Sequence, residues 1–369
     1  MYIEAFTAHF GELSDTRQSA KITYPLEDIL FITLCGVIAG AEGWSEIRDY
    51  ADGHLEWFQQ HGFLCTGVPV DDTIARTISR IDPEQFITCF IYWMQAVHEL
   101  TEGQLIAIDG KTLRSSYQRG DRQSTIHMVN VFACANKVVL GQVKTAEKSN
   151  EITAIPELIQ LLDIQGALVS IDAMGCQTSI AMQIVKQGGN YLFTLKGNQG
   201  KLSKAVEEAF AEIRQAPLGG LSFEQKHGRI EARTYHVLSA EAVSNAFEQW
   251  PNLKTLGMSM SFRQQQGKVP ELMYRYHISS ASLLAAAVRS HWAVENSLHW
   301  VLDVSMGEDE CQIYQDHGAE NWSMLRHLAL NMLRAESSKG SIPAKQKRAW
   351  MKTDYLKDVL TAGFSSMVN

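Results

Sequence analysis

Apolar residues recur at helical spacing through the first hundred positions of the chain. The spacing predicts helices over 26–41, 47–58, 72–81 and 86–100. The longest apolar run, ILFITLCGVIAGA, is shorter than the stretch of about 20 residues that a membrane span requires. We therefore expect a buried helix there, inside an all-helical N-terminal region.

The segment 72–86 has the spacing of two helices joined by a tight turn. A proline directly after Asp82 predicts the start of the second helix, because proline is favoured in a first helical turn. Arg76 and Arg80 leave open a helix–turn–helix that reads DNA. An ordinary αα-hairpin is the alternative, since such hairpins are common.

From about position 104 the pattern changes to short apolar runs. LIAIDG, HMVNVFACA, KVVLGQV, ALVSIDAMG and YLFTLKGN each have the length of a buried strand. Helical segments separate the later runs, so we expect an antiparallel meander followed by strands joined through crossovers. Residues 221–280 are β-rich, and helical patterns follow. This order predicts an α/β fold with a mixed sheet, a β-rich insertion and the helical N-terminal domain.

Charge and cysteine usage limit the function classes. The formal net charge is −8 over 369 residues, which argues against tight nucleic-acid binding. Two divalent cations bound among acids would offset half of that charge. The cysteines form no CxxC pair, and the N-terminus lacks the basic start of a signal peptide, so we expect a reduced, cytoplasmic compartment.

Two predicted strands end at an aspartate, Asp109 and Asp172. A buried carboxylate without a partner is costly. Neighbouring strands lie about 4.8 Å apart, so the two carboxylates could share divalent cations such as Mg²⁺ or Mn²⁺. The alternative is a turn role, because aspartate before glycine commonly ends a strand.

The segment RSHWAVENSLHWVLD offers a third carboxylate. His291, Glu295 and His299 are spaced four residues apart and would share one helical face. This face favours Glu295 as the acid that meets the two aspartates, with a solvated helix position as the alternative. A zinc site on this face is also open, although the HExxH pattern of zinc peptidases is absent.

Three carboxylates around two cations are typical of phosphoryl transfer. Two ions about 3.5–4 Å apart can hold the attacking and the leaving oxygens of an in-line displacement. Lys196 and Asn198, which follow the strand-like run YLFTL, are candidates for contacts with a phosphate or a base near the cut. A lysine at such a position is also typical of a plain surface residue.

Several motifs together resemble one known family. IAIDGKTLR, LGQVKTAEKSNEITAIPELI, IDAMGCQ, LKGNQ, HGRIEARTY and RSHWAVENSLHWVLDV are similar to the insertion-sequence transposases called H-repeat-associated proteins. These belong to the DDE transposases, whose catalytic domain is RNase H-like. The resemblance covers about 24–334. It implies a metal-dependent enzyme, with two Mg²⁺ or Mn²⁺ ions, that cuts insertion-element ends and joins them to target DNA.

The resemblance also assigns roles to residues. The catalytic and metal-binding acids fall on Asp109, Asp172 and Glu295. With the positions named above, the DNA-binding candidates are Lys111, Arg114, Lys196, Asn198, His227, Arg229, Arg233, Arg289, His291 and His299. For the three candidates in HGRIEAR, a solvated hairpin is the alternative.

Two positions depart from the pattern of related transposases. They often carry arginine four residues before the catalytic glutamate and lysine seven residues after it, where this chain has His291 and Leu302. Arg289 lies close enough in sequence to substitute for the arginine. Two other functions therefore stay open: a catalytically silent DNA-binding relic, and a metal-dependent nuclease without strand transfer.

The resemblance implies partners and a domain order. We expect double-stranded element ends and target DNA as partners, a dimer on DNA, no membrane contact and a place at the bacterial nucleoid. The expected segments are a helical accessory and DNA-binding domain (1–100), the first part of the catalytic domain (101–220), the β-rich insertion (221–280), the second catalytic part (281–340) and a C-terminal tail (341–369).

Overall fold

The fold was obtained as a computed structural model. The structure describes residues 2–100, 102–117, 125–145, 151–215, 223–226, 229–243, 247, 249–265, 268–282, 287–288, 290 and 294–365. Within these ranges no helix combines the length and the apolar character needed to cross a membrane.

The first hundred residues form helices, as predicted. They are α1 (Tyr2–Phe10), α2 (Leu26–Ala39), α3 (Trp44–Gly53), α4 (Leu55–Gln60), α5 (Asp71–Ile78) and α6 (Pro83–Val97). The long apolar run is α2, which is buried from Ile29 to Ala39. The single helix expected over 47–58 is wrong, because His54 leaves the helical backbone (φ −123°, ψ 19°) and separates α3 from α4.

A mixed sheet of nine strands follows in the described part of the chain. The strands are β1 (Leu105–Leu113), β2 (Ile126–Ala133), β3 (Val138–Thr145), β4 (Leu168–Ile171), β5 (Asn190–Leu195), β6 (Phe223–Lys226), β7 (Arg229–Ser239), β8 (Thr255–Gln265) and β9 (Glu271–Ser279). Their order is β3-β2-β1-β4-β5-β9-β8-β7-β6. β1–β3 form the predicted antiparallel meander. β1, β4 and β5 run parallel, as predicted for strands that are joined by crossover connections.

The β-rich insertion continues the same sheet. β9 pairs antiparallel with β5, from Leu192 opposite Ser279 to Leu195 opposite Tyr276. β8, β7 and β6 then follow as antiparallel neighbours. The insertion is therefore hydrogen-bonded to β5, which in turn pairs with β4, the strand that Asp172 follows.

The other α-helices of the described residues lie on both sides of the insertion in sequence. They are α7 (Glu151–Gln160), α8 (Thr178–Lys186), α9 (Gly200–Ala209), α10 (Ala211–Gln215), α11 (Trp300–Met306), α12 (Gly318–Ala335), α13 (Ile342–Met351) and α14 (Thr353–Phe364). α12 is buried along most of its length and packs on α2, α6 and β3. It thereby joins the N-terminal helices to the sheet.

The turn between α5 and α6 belongs to this packed assembly. Asp82 begins α6 by accepting hydrogen bonds from the backbone N–H groups of Glu84 and Gln85, where the sequence predicted a helix start. α6 buries Phe90 and Trp93, and it packs against α1, α12 and β3. The segment is therefore two helices joined by a turn within the packed helical region, and a DNA-reading role for it stays a prediction.

Candidate functional site

The two candidate aspartates lie side by side on neighbouring strands. The predicted strand end is confirmed for Asp172, which follows β4, but it is wrong for Asp109, because β1 continues through it to Leu113 and stays paired with β2. β1 and β4 pair in parallel with Ile108 opposite Ile171, so Asp109 and Asp172 take the next positions. Asp172 Oδ1 accepts a 2.9 Å hydrogen bond from the backbone N–H of Met174. Because adjacent strands are about 4.8 Å apart, the sheet brings both carboxylates to one region.

The electrostatic environment of Asp109 disfavours its charge. Burial, followed by the negative charge of Asp172, raises the pKa of the Asp109 carboxyl to about 7. Glu151 and Glu295 act in the same direction, while a hydrogen bond from the Gly110 N–H opposes them. A bound divalent cation would offset this repulsion and favour the ionised carboxylate.

The third acid begins a π-helical turn, where the sequence predicted an α-helix. The turn covers Glu295–His299, and α11 continues directly from it. His299 Nδ1 lies 3.3 Å from Glu295 Oε2 and 3.7 Å from Asp109 Oδ2. π-helical turns are rare and recur at functional sites. This turn brings Glu295 and His299 to the Asp109 carboxylate.

Asp109, Glu295 and His299 together could hold a cation. One ligand atom from each of the three lies within 4.8 Å of the others. Burial, and then the charge of Lys111, lowers the pKa of the His299 imidazole, so the ring is neutral and can offer a lone pair. Oxygen and nitrogen donors at this spacing fit a divalent metal ion.

Lys111 lies behind this group, two residues after Asp109 on β1. Its ammonium group is buried and pairs with Asp303 of α11 and with Glu308. Burial lowers the pKa of Lys111, but the two carboxylates outweigh it and raise the pKa overall. Burial likewise raises the pKa of Glu308, yet the Lys111 charge and other nearby cations bring it to about 2. The ion pairs connect β1 to the helix that follows Glu295.

Two of the side chains predicted to contact DNA lie inside the protein. Lys111 is 8% exposed, and its ammonium group is used by the two internal carboxylates. His299 is 5% exposed and faces Asp109 and Glu295. Both side chains belong to the interior of the acidic site, since neither presents its polar group to solvent.

The other DNA-contact candidates differ in what the structure describes. Arg114, Lys196 and Arg233 are exposed, and their DNA contacts stay predictions. Arg114 Nε lies 3.4 Å from Asp309 Oδ2. Only the backbone is described at Asn198 and Arg229, and the residues outside the described ranges are His227, Arg289 and His291.

A groove of about 320 Å³ connects the insertion with the π-helical turn. Its lining includes Arg233, Arg263 and Arg275 on β7–β9, together with Glu295 and Asn296. Sequence reasoning did not single out Arg263 and Arg275, because it could not show which face of the insertion borders Glu295. Glu231 and Glu271 line the groove as well, and Glu231 lies 3.3 Å from Arg233 and 3.9 Å from Arg263. A phosphate chain in this groove would therefore compete with Glu231 for the arginine side chains.

Sequence reasoning also missed two buried acids near the site. Glu308 pairs with Lys111, and Glu151 begins α7. A Cβ atom added to Gly110 would lie 2.3 Å from Glu151 Oε1, so this carboxylate packs against the backbone beside Asp109. The sequence held one signal for Glu308. Side chains alternate along a strand, so Lys111 lies on the same side of β1 as Asp109, and a buried lysine there needs an acidic partner.

Comparison with known proteins identifies relatives along the whole chain. The family model described as "Transposase DDE domain" matches residues 100–332, and the "DDE_Tnp_1-associated" model matches 7–94. The H repeat-associated putative transposase YhhI of Escherichia coli (strain K12) is 45% identical over 98% of both chains. Putative transposase YncI of Escherichia coli O157:H7 is 46% identical over 98% of this chain and 96% of its own.

A shorter relative carries a different description. The inactive transposase YbfQ of Escherichia coli (strain K12) is 42% identical over 80 residues, which are 22% of this chain and 95% of that one. Family membership alone therefore leaves the activity of this chain to be tested.

The matched domain contains all three acids of the site. It includes the strands that position Asp109 and Asp172 and the π-helical turn of Glu295. The predicted α/β fold with a helical N-terminal region is confirmed, and so is the resemblance to H-repeat-associated proteins. With its matched domain spanning most of the chain, this protein belongs to the DDE transposase family.

Proposed function

We propose that this chain is an active DNA transposase that cuts insertion-element ends and transfers the freed 3′-hydroxyl to target DNA. The carrying observation is that Asp109 and Glu295 meet within one small group, while Asp172 follows in register on the neighbouring strand. The raised pKa of Asp109 supports this proposal, because crowded acids of this kind fit a divalent cation.

The chemistry proposed is an in-line phosphoryl displacement. Two divalent cations, Mg²⁺ or Mn²⁺, would supply positive charge at the attacking and the leaving oxygens when bound. Asp109, Asp172 and Glu295 would hold them. The paired strands fix the two aspartates relative to each other, and Lys111 ties the helix after Glu295 to the same sheet. Such fixed positions reduce the entropy cost of aligning the reacting groups.

The groove beside Glu295 is the proposed path of the DNA backbone. Replacing the exposed Arg233 with glutamine removes one cation from its wall. We expect weaker DNA binding and a decrease of about 1 in the slope of log affinity against log salt. Fluorescence anisotropy with a labelled duplex, at several salt concentrations, measures both quantities.

The matched control for Arg233→Gln is Lys186→Gln. Lys186 is also exposed, but it lies on α8 and does not line the groove. Its replacement should leave affinity and salt slope close to those of the native protein. Equal effects of the two variants would contradict the proposed DNA path.

The proposal includes an assembly of two copies on DNA. Synapsis holds the two ends of one element together with a copy of the protein bound at each end, so a dimer formed on paired ends is expected. Its expected place of action is the bacterial nucleoid, where element ends and target DNA both lie.

One assay separates this function from its two alternatives. A labelled duplex with the element's terminal sequence is incubated with an unlabelled target duplex and Mg²⁺ or Mn²⁺. Label joined to the target supports the transposase. Cleavage without joining indicates a nuclease, and binding without cleavage indicates a silent relic, so either result would overturn the proposal.

A further inference from the structure

We infer that His299 is a direct ligand of the cation held by Asp109 and Glu295. The inference rests on the proposed metal-dependent function and extends it, because an imidazole nitrogen joins a ligand set otherwise made of carboxylate oxygens. His299 would then be part of the metal centre, in place of the DNA contact predicted from the sequence.

The donor atoms have the spacing of a coordination sphere. His299 Nδ1 is 3.7 Å from Asp109 Oδ2 and 3.3 Å from Glu295 Oε2. A six-coordinate cation with ligand bonds of about 2.1 Å separates its donors by about 3.0 Å in adjacent positions and about 4.2 Å in opposite ones. Both distances fall between these values, and the Asp109 and Glu295 ligand atoms lie within 4.8 Å of each other, so small side-chain movements would let one cation contact all three atoms.

The surroundings of the ring identify Nδ1 as the atom that faces other functional groups. Buried polar groups normally have hydrogen-bond partners. Nε2 of His299 has none among the described residues, whereas Nδ1 faces two acids. A ring that is 5% exposed also cannot reach a DNA phosphate in the solvent. Metal ligation through Nδ1 uses the one ring atom that is directed at other functional groups.

The proposed metal centre has two ligand sets, one that contains His299 and one that contains Asp172. In the described part of the chain, the close three-atom group contains Asp109, Glu295 and His299 but does not include Asp172. Asp109 is therefore the acid that the two sets would share. The set with His299 contains nitrogen and favours Mn²⁺ over Mg²⁺, since Mg²⁺ prefers oxygen ligands. The set with Asp172 offers oxygen only.

A spectroscopic experiment on the unmodified chain tests this ligand directly. The full-length protein is loaded with Mn²⁺ and studied by electron spin-echo envelope modulation. We expect modulation from a directly bound imidazole nitrogen. Protein grown with ¹⁵N-histidine should show the corresponding change of nuclear frequencies, which assigns the signal to a histidine ring without any substitution.

Substitution then identifies which histidine is bound. His299→Gln should remove the nitrogen signal and weaken Mn²⁺ binding at least about tenfold, as changes around metal centres commonly do. His98→Gln is the matched control, because His98 is also 5% exposed but contacts Asn136 after β2. It should keep both the signal and the affinity. Circular dichroism confirms that each variant is folded.

The possible results distinguish this inference from the proposed function. Bound Mn²⁺ without any nitrogen signal would overturn the role of His299 and leave the acidic triad intact. A signal that persists in folded His299→Gln would also overturn it. Absence of Mn²⁺ binding to the native chain would contradict both the inference and the metal-dependent function.

Discussion

The Asp109→Asn variant is expected to lose DNA cleavage and yet to be more stable than the native protein when no divalent cation is bound. Loss of a metal-binding acid should lower the cleavage rate by at least about 10³-fold. The gain in stability follows from the pKa of Asp109, which the folded protein raises from 3.8 to about 7. Removing this charge should increase the free energy of unfolding by up to about 4 kcal/mol at pH 8.

The sign of the accompanying pH dependence is fixed by proton binding. A carboxyl whose pKa is raised on folding binds more protons in the folded than in the unfolded state between those two values. The stability of the cation-free native protein should therefore fall as pH rises from about 4 to about 7 and then stay level. Thermal unfolding of the native protein in EDTA at several pH values measures this pH dependence. The Asp109→Asn variant should not show the fall in stability between about pH 4 and about pH 7.

Asp358→Asn provides the control for this experiment. Asp358 is exposed on α14, away from the acidic group. Its replacement should preserve cleavage, and Mn²⁺ should stabilise this variant as it stabilises the native protein. If the Asp109→Asn protein cleaves at the native rate, the assignment of Asp109 to the catalytic site is wrong. A lower stability than native in EDTA at pH 8 would contradict the electrostatic argument.

The Lys111→Met variant is expected to lose much of the stability of the fold. Methionine fills a similar volume but leaves the buried Glu308 without its main cation. Breaking one side of a buried ion pair typically costs about 3–5 kcal/mol, because the remaining charge has neither water nor a partner. Urea unfolding followed by circular dichroism should show a lower midpoint, and cleavage should decrease as Glu295 loses its support.

A second substitution separates the loss of the pair from the loss of packing. In Lys111→Met/Glu308→Gln the orphaned charge is gone, so a substantial part of the stability should return. Lys186→Met, at an exposed position on α8, should change the free energy of unfolding by less than about 0.5 kcal/mol. A native-like midpoint for Lys111→Met alone would show that the buried pair is unimportant for stability.

Features with strong local patterns could be predicted from the sequence. The buried helix α2 and the meander β1–β3 follow from apolar spacing and turn residues, and the structure contains both. The break at His54 and the π-helical turn at Glu295 were not predictable in this way. Both depend on how the surrounding elements pack, which residue spacing along one segment does not record.

The candidate site was predictable in part for the same reason. Asp109 and Asp172 were visible as charges at the ends of apolar strands, where a carboxylate needs an explanation. Glu308 and Glu151 lie in polar stretches that look solvated, and only the fold buries them. The interior position of Lys111 depends likewise on Glu308, a partner almost two hundred residues away in sequence.

The pairing of β9 with β5 restricts how the insertion can change during evolution. From Leu192 to Leu195 the two strands pair in one register. β8 pairs with β9 and β7 pairs with β8, so the position of β9 also fixes the positions of β8 and β7. Adding one residue between Arg275 and the part of β9 that pairs with β5 would place Arg275 on the opposite face of the sheet, away from Glu295. Length variation among relatives should therefore be confined to the connecting loops, while the strands keep their residue counts.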